Sequence, residues 1–254
     1  MATSINLIQI TDTHILDDDM HSRSFDDFDT SASLKQVVKK IKSDENDADC
    51  IILTGDLVHE PSIDAYQNLA DILLPLTVPL MSLPGNHDDP QMMEYIMGEN
   101  GFDTGKLFDM DSWMIILLNS KLDNEHGGEM TEAELEFLRT TLESNPDKHF
   151  LVALHHHPIS IESPWMDSMI LKNGDDFLEI IDNFENVRAI IWGHIHQKFE
   201  SKRGGVLLLG TPSTCKQFKP KAEAYAEDKK APAYRKIELK ADGKIKTKVV
   251  YIDK

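Results

Sequence analysis

The sequence predicts an α/β fold in which two packed sheets are flanked by helices. Two observations carry this. Between residues 5 and 210, short apolar runs of strand length alternate with amphipathic helical segments, the order that builds sheets with crossover helices. Toward the C-terminus the pattern changes to strand pairs joined by tight turns, which read as hairpins.

The strand-like runs are Ile5 to Thr11, Cys50 to Thr54, Pro79 to Leu83, Trp113 to Asn119, His149 to His155, Val187 to Trp192 and Val206 to Gly210. Each is too short for an ordinary helix. A helix opening near Thr30 places Leu34, Val37, Val38 and Ile41 on one face. A second opens near Ser62 and carries Tyr66, Leu69, Ile72 and Leu73. The third begins with Thr131-Glu132-Ala133-Glu134, a capping-box pattern, and runs through Leu135, Leu138 and Leu142. A fourth covers roughly Asp175 to Phe184. Tyr234 to Leu239, Ala241-Asp242-Gly243 and Lys244 to Ile252 predict a C-terminal hairpin at about 234–252. Lys202-Arg203-Gly204-Gly205 before Val206 to Leu209 predicts another. Without a linker, internal repeat or low-complexity segment, residues 1–254 are expected to form one domain.

Composition narrows the function classes. Hydrophobic residues at 41% and charged residues at 28% suit a soluble globular protein rather than a disordered one. The longest uncharged apolar runs, such as Met114 to Leu118 and Val206 to Leu209, fall far short of the ~20 residues that span a bilayer. Residues 1–10 lack the basic start, apolar stretch and cleavage site of a signal peptide, so a cytoplasmic location is expected. With 44 Asp plus Glu against 26 Lys plus Arg, the net charge of -18 repels a nucleic-acid backbone. Residues 17–29 hold six Asp and one Arg, which reads as a solvated loop or as a loop near the mouth of a site. The relatively basic tail hairpin is compatible with a homodimer and equally with a solvated edge. Cys50 and Cys215 are too few for a disulfide scaffold; Cys50 leads an apolar run and reads as a buried thiol.

The chemistry lies at the ends of the strand-like runs. There stand Asp12-Thr13-His14, Gly55-Asp56, Gly85-Asn86-His87-Asp88, His155-His156-His157 and Gly193-His194-Ile195-His196. Ligands of α/β sheets bind beyond the carboxyl ends of strands, so these five groups are expected to converge. Carboxylate, imidazole and amide oxygen without thiolate suit hard to borderline cations such as Mn, Fe or Zn. The donors outnumber what one ion needs, and two ions sharing a carboxylate account for them. Alternation in extended backbone would aim both members of Asp12-x-His14 and of His194-x-His196 at one pocket. Each motif alone is weak, since Gly-Asp is a common turn and a lone His is usually structural. Their co-occurrence in this order decides the reading.

In these blocks the chain resembles the calcineurin-like metallophosphoesterases, whose pattern is D-x-H, G-D, G-N-H-D/E, H and G-H-x-H. Further stretches, including Leu154 to Pro158, Thr211 to Cys215 and Gln217-Phe218-Lys219-Pro220, are similar to the bacterial class III cyclic-AMP phosphodiesterases. The resemblance implies a four-layer fold: two packed mixed β-sheets forming a sandwich flanked by helices. It implies two divalent or mixed-valence metal ions, Fe or Mn first, with Zn, Co or Mg also compatible. Asp12, His14 and His196 would hold the first, Asn86, His155 and His194 the second, and Asp56 would bridge them. His87 would be the catalytic acid, and Asn86, His87, His156 and His196 would face the substrate. The chain departs from the pattern at His59, where many relatives carry an acid.

The expected activity is hydrolysis of a small cyclic nucleotide, 3′,5′-cyclic AMP to 5′-AMP, by attack of a hydroxide shared between the metals. A broader phosphodiesterase acting on 2′,3′-cyclic nucleotides or other nucleotide diesters would use the same site. A non-catalytic scaffold of the same fold would show degenerate ligands, whereas all seven stand here.

Overall fold

The computed structural model describes residues 4–17 and 28–252. In chain order come β1 (Ile5–Ile10), α1 (Thr30–Asp44), β2 (Cys50–Thr54), α2 (Ile63–Leu73), β3 (Leu80–Leu83) and α3 (Pro90–Glu99). Next are β4 (Leu107–Met110), β5 (Trp113–Leu117), α4 (Glu132–Ser144), β6 (His149–Ala153), α5 (Pro164–Asp167) and α6 (Gly174–Asp182). The chain then continues through β7 (Val187–Trp192), β8 (Phe199–Arg203), β9 (Val206–Gly210), β10 (Gln217–Phe218) and β11 (Glu227–Asp228). It closes with β12 (Ala233–Leu239) and β13 (Ile245–Tyr251).

Among the described residues, eleven strands form two large mixed sheets, while β10 and β11 pair antiparallel apart from them. The first runs β13-β12-β1-β2-β3, with β1, β2 and β3 parallel and the β12–β13 hairpin antiparallel at its edge. The second runs β4-β5-β6-β7-β9-β8, parallel from β5 through β9 and antiparallel at both edges. Side chains alternate across each strand. Leu7, Ile52 and Leu83 of the first sheet therefore meet Ile115, Leu151 and Ile191 of the second in the core between the sheets. The opposite faces of the same strands, at Ile8, Ile10, Ile51 and Leu53, are covered by α1, α2 and α3. Ile116, Val152 and Ile190 lie under α4 and α6. Two layers of strand between two of helix result, as the resemblance implied. Among the described residues, no helix is long and apolar enough to cross a membrane.

Local signals account for most boundaries. The side chains of Asp29, Ser62 and Thr131 cap α1, α2 and α4 by accepting from the amides of Ala32, Ala65 and Glu134. Only half of the expected capping box forms, because Glu134 instead pairs with Lys106 and accepts from the Asn119 amide. The expected runs at Ile5, Trp113 and His149 leave the sheets one or two residues early, at Ile10, Leu117 and Ala153. Five elements lie outside the sequence reading: α5, β10 and β11, together with β4 and α3. The edge strand β4 is largely solvent-facing and lacks an apolar run. The helix α3 buries only Met93, Ile96 and Met97, although Asp89 and Pro90 mark its start. Residues 18–27 of the acidic stretch lie outside the described residues.

A buried polar network joins the two sheets below the strand ends. Gln9 Nε2 donates to Thr54 Oγ1 at 2.9 Å and to the Trp192 carbonyl at 3.1 Å. Thr211 Oγ1 donates to Gln9 Oε1 at 2.6 Å. The buried Arg235 donates to Thr211 Oγ1, the Gly210 carbonyl and Glu200 Oε1, each at 2.9 Å. Arg235→Ala leaves several of these groups unpaired and is expected to cost on the order of 3 kcal/mol, read as a lower urea midpoint at unchanged m-value.

Candidate metal centre

All five expected groups lie in the loops leaving the C-terminal ends of β1, β2, β3, β6 and β7, so the two sheets jointly deliver them. Their backbone is unusual. Asp12, His14, Asp56, His194 and His196 have φ of 53°, 44°, 50°, 64° and 45°, in the left-handed region that non-glycine residues avoid. Each such residue costs roughly 1–2 kcal/mol, strain that concentrates at functional sites. The expected extended alternation is therefore not what aims Asp12 with His14 or His194 with His196. Two left-handed residues flanking Thr13 or Ile195 do so instead, held by Asp12 N donating to the Gly55 carbonyl and His14 N to the Asp56 carbonyl, both at 3.0 Å. The loops also touch where only glycine fits. A Cβ on Gly85 would stand 2.2 Å from Asp56 Oδ1, and one on Gly193 would stand 2.0 Å from Thr11 Oγ1.

The donors sort into two groups about Asp56. Its Oδ2 lies 3.6 Å from His14 Nε2, and its Oδ1 lies 3.3 Å from His155 Nε2. On the first side His14 Nε2 faces His196 Nε2 at 3.2 Å, and the latter is 3.3 Å from Asp12 Oδ1. On the second, His155 Nε2 lies 3.2 Å from Asn86 Oδ1, and the His194 ring centroid is 5.1 Å from that of His155. Asp12, His14, Asp56, His155, His194 and His196 are buried, while Asn86 and His87 are half-buried and mark the open side.

These residues fit cations. His155 Nδ1 donates to the Thr54 carbonyl and His196 Nδ1 to the Lys216 carbonyl, both at 2.8 Å, which turns each Nε2 lone pair inward. His194 Nε2 is enclosed with no hydrogen-bond partner among the described residues. Both Asp12 oxygens accept from the His194 amide at 3.0 Å. Electrostatics agree. Burial alone would depress His155, but the Asp56 carboxylate prevails and raises it to about 9. Burial likewise works against His196, yet Asp12 holds it well above the ordinary histidine value. Burial would raise Asp56, but His155 and His87 hold it well below the usual carboxylate range. The cluster attracts positive charge, as a metal centre of N and O donors would.

The remaining expected residues take other places. His87 Nδ1 donates to the His59 carbonyl at 2.7 Å, its amide donates to Asp56 Oδ1 at 2.9 Å, and its ring is 4.8 Å from that of His14. His59 stacks on His87 with centroids 5.0 Å apart and brings Nδ1 to 3.4 Å from His14 Nδ1. His156, expected to face substrate, is fully buried. Its Nδ1 meets Ser120 Oγ at 2.8 Å and its Nε2 meets the His126 carbonyl at 3.2 Å, so both ring nitrogens are spent on the protein. Thr211 to Cys215, one of the stretches that carry the resemblance, is buried too and braces the site, with Ser213 Oγ donating to the Asp12 carbonyl at 2.9 Å.

Three neighbours were not anticipated. The Asp88 carboxylate accepts from the amides of Leu57, Val58 and Gly85 and from the Tyr66 hydroxyl, tying two loops together; burial pushes it up to about 6. Asp88 sits within the quoted Gly85-to-Asp88 block, so its position was visible but not its role. Lys121 Nζ donates to the Asn86 carbonyl at 2.9 Å, and the His126 ring lies 6.0 Å from that of His87. Both come from a polar loop with no motif to single them out.

Comparison with known proteins agrees with this geometry. The Calcineurin-like phosphoesterase family matches residues 5–198. The chain is 37% identical over 246 residues to the 3′,5′-cyclic adenosine monophosphate phosphodiesterase CpdA of Haemophilus influenzae, covering 96% of this chain and 89% of that protein. It is 35% identical over 246 residues to the protein of the same name from Escherichia coli, with the same 96% and 89% coverage. Among solved structures, a dimetal phosphatase from Danio rerio superposes with a TM-score of 0.63 at 14% identity, covering 98% of this chain and 99% of that one, a likeness of fold. By the family match over most of its length and by its identity to these relatives, the chain belongs to the calcineurin-like phosphoesterase family, and it is a hydrolase.

Proposed function

We propose that this protein is a metal-dependent phosphodiesterase that hydrolyses 3′,5′-cyclic AMP to 5′-AMP. The observation that carries the proposal is the buried Asp56 carboxylate with one oxygen toward each of two histidine groups. The substrate follows from relatives that are named for cyclic AMP and align over nearly the whole chain.

Asp12, His14 and His196 would hold one ion, Asn86, His155 and His194 the other, with Asp56 shared. When bound, such a pair of cations supplies Lewis acidity, drawing the pKa of a water from ~15.7 toward ~7 and offsetting charge on the phosphoryl oxygens. Nitrogen and oxygen donors without thiolate accept Mn, Fe, Zn or Co.

The protein's own residues handle the leaving group. Breaking the bond from phosphorus to the ribose 3′ oxygen leaves an alkoxide that needs a proton. His87 would give it. Its Nδ1–H is committed to the His59 carbonyl, so the proton exchanged with substrate is the one on Nε2. Its ring adjoins His14 on the half-buried side of the site, outside the donor groups that surround Asp56. As an oxygen from water joins phosphorus, the His87 Nε2 proton passes to the 3′ oxygen, and 5′-AMP results. General-acid catalysis of this kind contributes ~10²–10⁴-fold.

Three outcomes test the proposal. Exhaustive chelation should abolish cyclic AMP hydrolysis, with Mn or Fe restoring it as metal content by mass spectrometry returns to two ions per chain; full activity in metal-free protein would refute it. His87→Ala should lower kcat by about 10²–10⁴-fold while metal content holds. A parallel fall in metal would instead make His87 a ligand. Asp56→Ala should empty both positions together, and retention of one full equivalent would exclude a shared carboxylate.

A further inference from the structure

A chain of aromatic rings leads from the candidate metal centre to the surface. Phe218 lies flat on the His196 imidazole, with centroids 4.1 Å and planes 8° apart. Trp165 and Tyr225 meet Phe218 edge-on at 5.2 and 5.5 Å, and each other at 5.5 Å. Tyr225 is 53% exposed. Four other large hydrophobic side chains are exposed among the described residues: Ile63, Leu74, Tyr95 and Leu107. None of those four connects to the site through ring contacts, as Tyr225 does through Phe218.

The exposed ring is held in place. Phe218 N donates to the His196 carbonyl at 2.9 Å, and Lys219 N closes the β10–β11 hairpin on the Ala226 carbonyl at 2.8 Å. The hairpin tip is fastened to the segment before α5. Ala222 N donates to Ser163 Oγ, Ser163 Oγ donates back to the Ala222 carbonyl, and Lys221 pairs with Glu162. The Tyr225 hydroxyl donates to Glu227 Oε1 at 2.9 Å, an oxygen that Lys216 Nζ also reaches at 2.8 Å. Ordering an exposed aromatic side chain costs conformational entropy and returns little core burial. A preorganised π-face beside a phosphate site recovers that cost when a flat ring stacks on it.

We infer that Tyr225, backed by Trp165 and Phe218, is the platform on which the purine base of the substrate stacks while its phosphate lies at the metal centre. This rests on the cyclic-nucleotide reading above and adds the element that recognises the base. The ring spacings of 4.1 and 5.5 Å place one ring, Phe218, between His196 and Tyr225. Stacking recognises the π-face of a base rather than its hydrogen-bonding edge, so the platform favours purines through their larger area.

The test compares 5′-AMP with ribose 5-phosphate, which lacks only the base, by titration calorimetry on the metal-loaded full-length protein. Wild type should bind 5′-AMP more tightly. Tyr225→Ala should weaken 5′-AMP about tenfold and ribose 5-phosphate by less than about twofold, and Tyr225→Phe, which keeps the ring, should restore 5′-AMP binding. Equal weakening of both ligands would make Tyr225 a structural residue of the wall, and no change in either would leave it without a role; each result overturns the platform. Cyclic AMP turnover by wild type is measured alongside. Absence of turnover with the 5′-AMP preference intact counts against the substrate proposal alone. Turnover without that preference counts against the platform alone.

Discussion

The structure turns on one crowded contact, the Asp56 carboxylate enclosed where the strand ends of the two sheets meet, with an imidazole nitrogen near each oxygen. A buried carboxylate is costly unless positive charge or several donors surround it. Here His155 beside the carboxylate, and His196 across from His14, have their outer nitrogens engaged by backbone carbonyls, which turns the inner nitrogens toward the cluster. The raised His155 and the depressed Asp56 are one electrostatic fact seen from both sides, and Asp12 raises His196 in the same way. In a protein of net charge -18 these buried carboxylates and imidazoles form a candidate site for cations.

Holding that contact sets demands on the scaffold. Left-handed backbone at Asp12, Asp56 and His194 is tolerated because the surrounding structure leaves no alternative. Asp88, in the loop after β3, binds the loop after β2 through the amides of Leu57 and Val58, and Ser213 fastens the loop after β1 from the far sheet. Beneath them the Gln9, Thr211 and Arg235 network locks the relative position of the sheets. Apolar packing between the sheets is non-directional and would tolerate small slides, whereas hydrogen bonds of defined length do not. The polar layer therefore fixes how the strand ends of the two sheets meet.

Around the donors, the walls divide the work. Asn86 and His87 form the open side, Lys121 steadies Asn86 from behind, and His156 and His157 pack under His194. The β10–β11 hairpin and the segment carrying Trp165 rise beside His196.

The alternation of strands and helices, the late hairpins and the blocks of Asp, His, Asn and Gly at the strand ends were legible in the sequence, because apolar periodicity and the order of those blocks are local properties. The sequence missed β4 and α3, whose apolar stripes are too short to stand above their polar surroundings. It explained the convergence of Asp12 with His14 by extended alternation, whereas left-handed turns achieve it, since φ at a non-glycine residue is imposed by neighbouring loops rather than by residue type. It also aimed His156 at the substrate, while Ser120 and His126, distant in sequence, claim both of its nitrogens. Only the tertiary structure decided which histidines face inward, which merely support them, and that Phe218 lies on His196. Such choices depend on partners that meet through sheet packing, and no spacing along the chain encodes them.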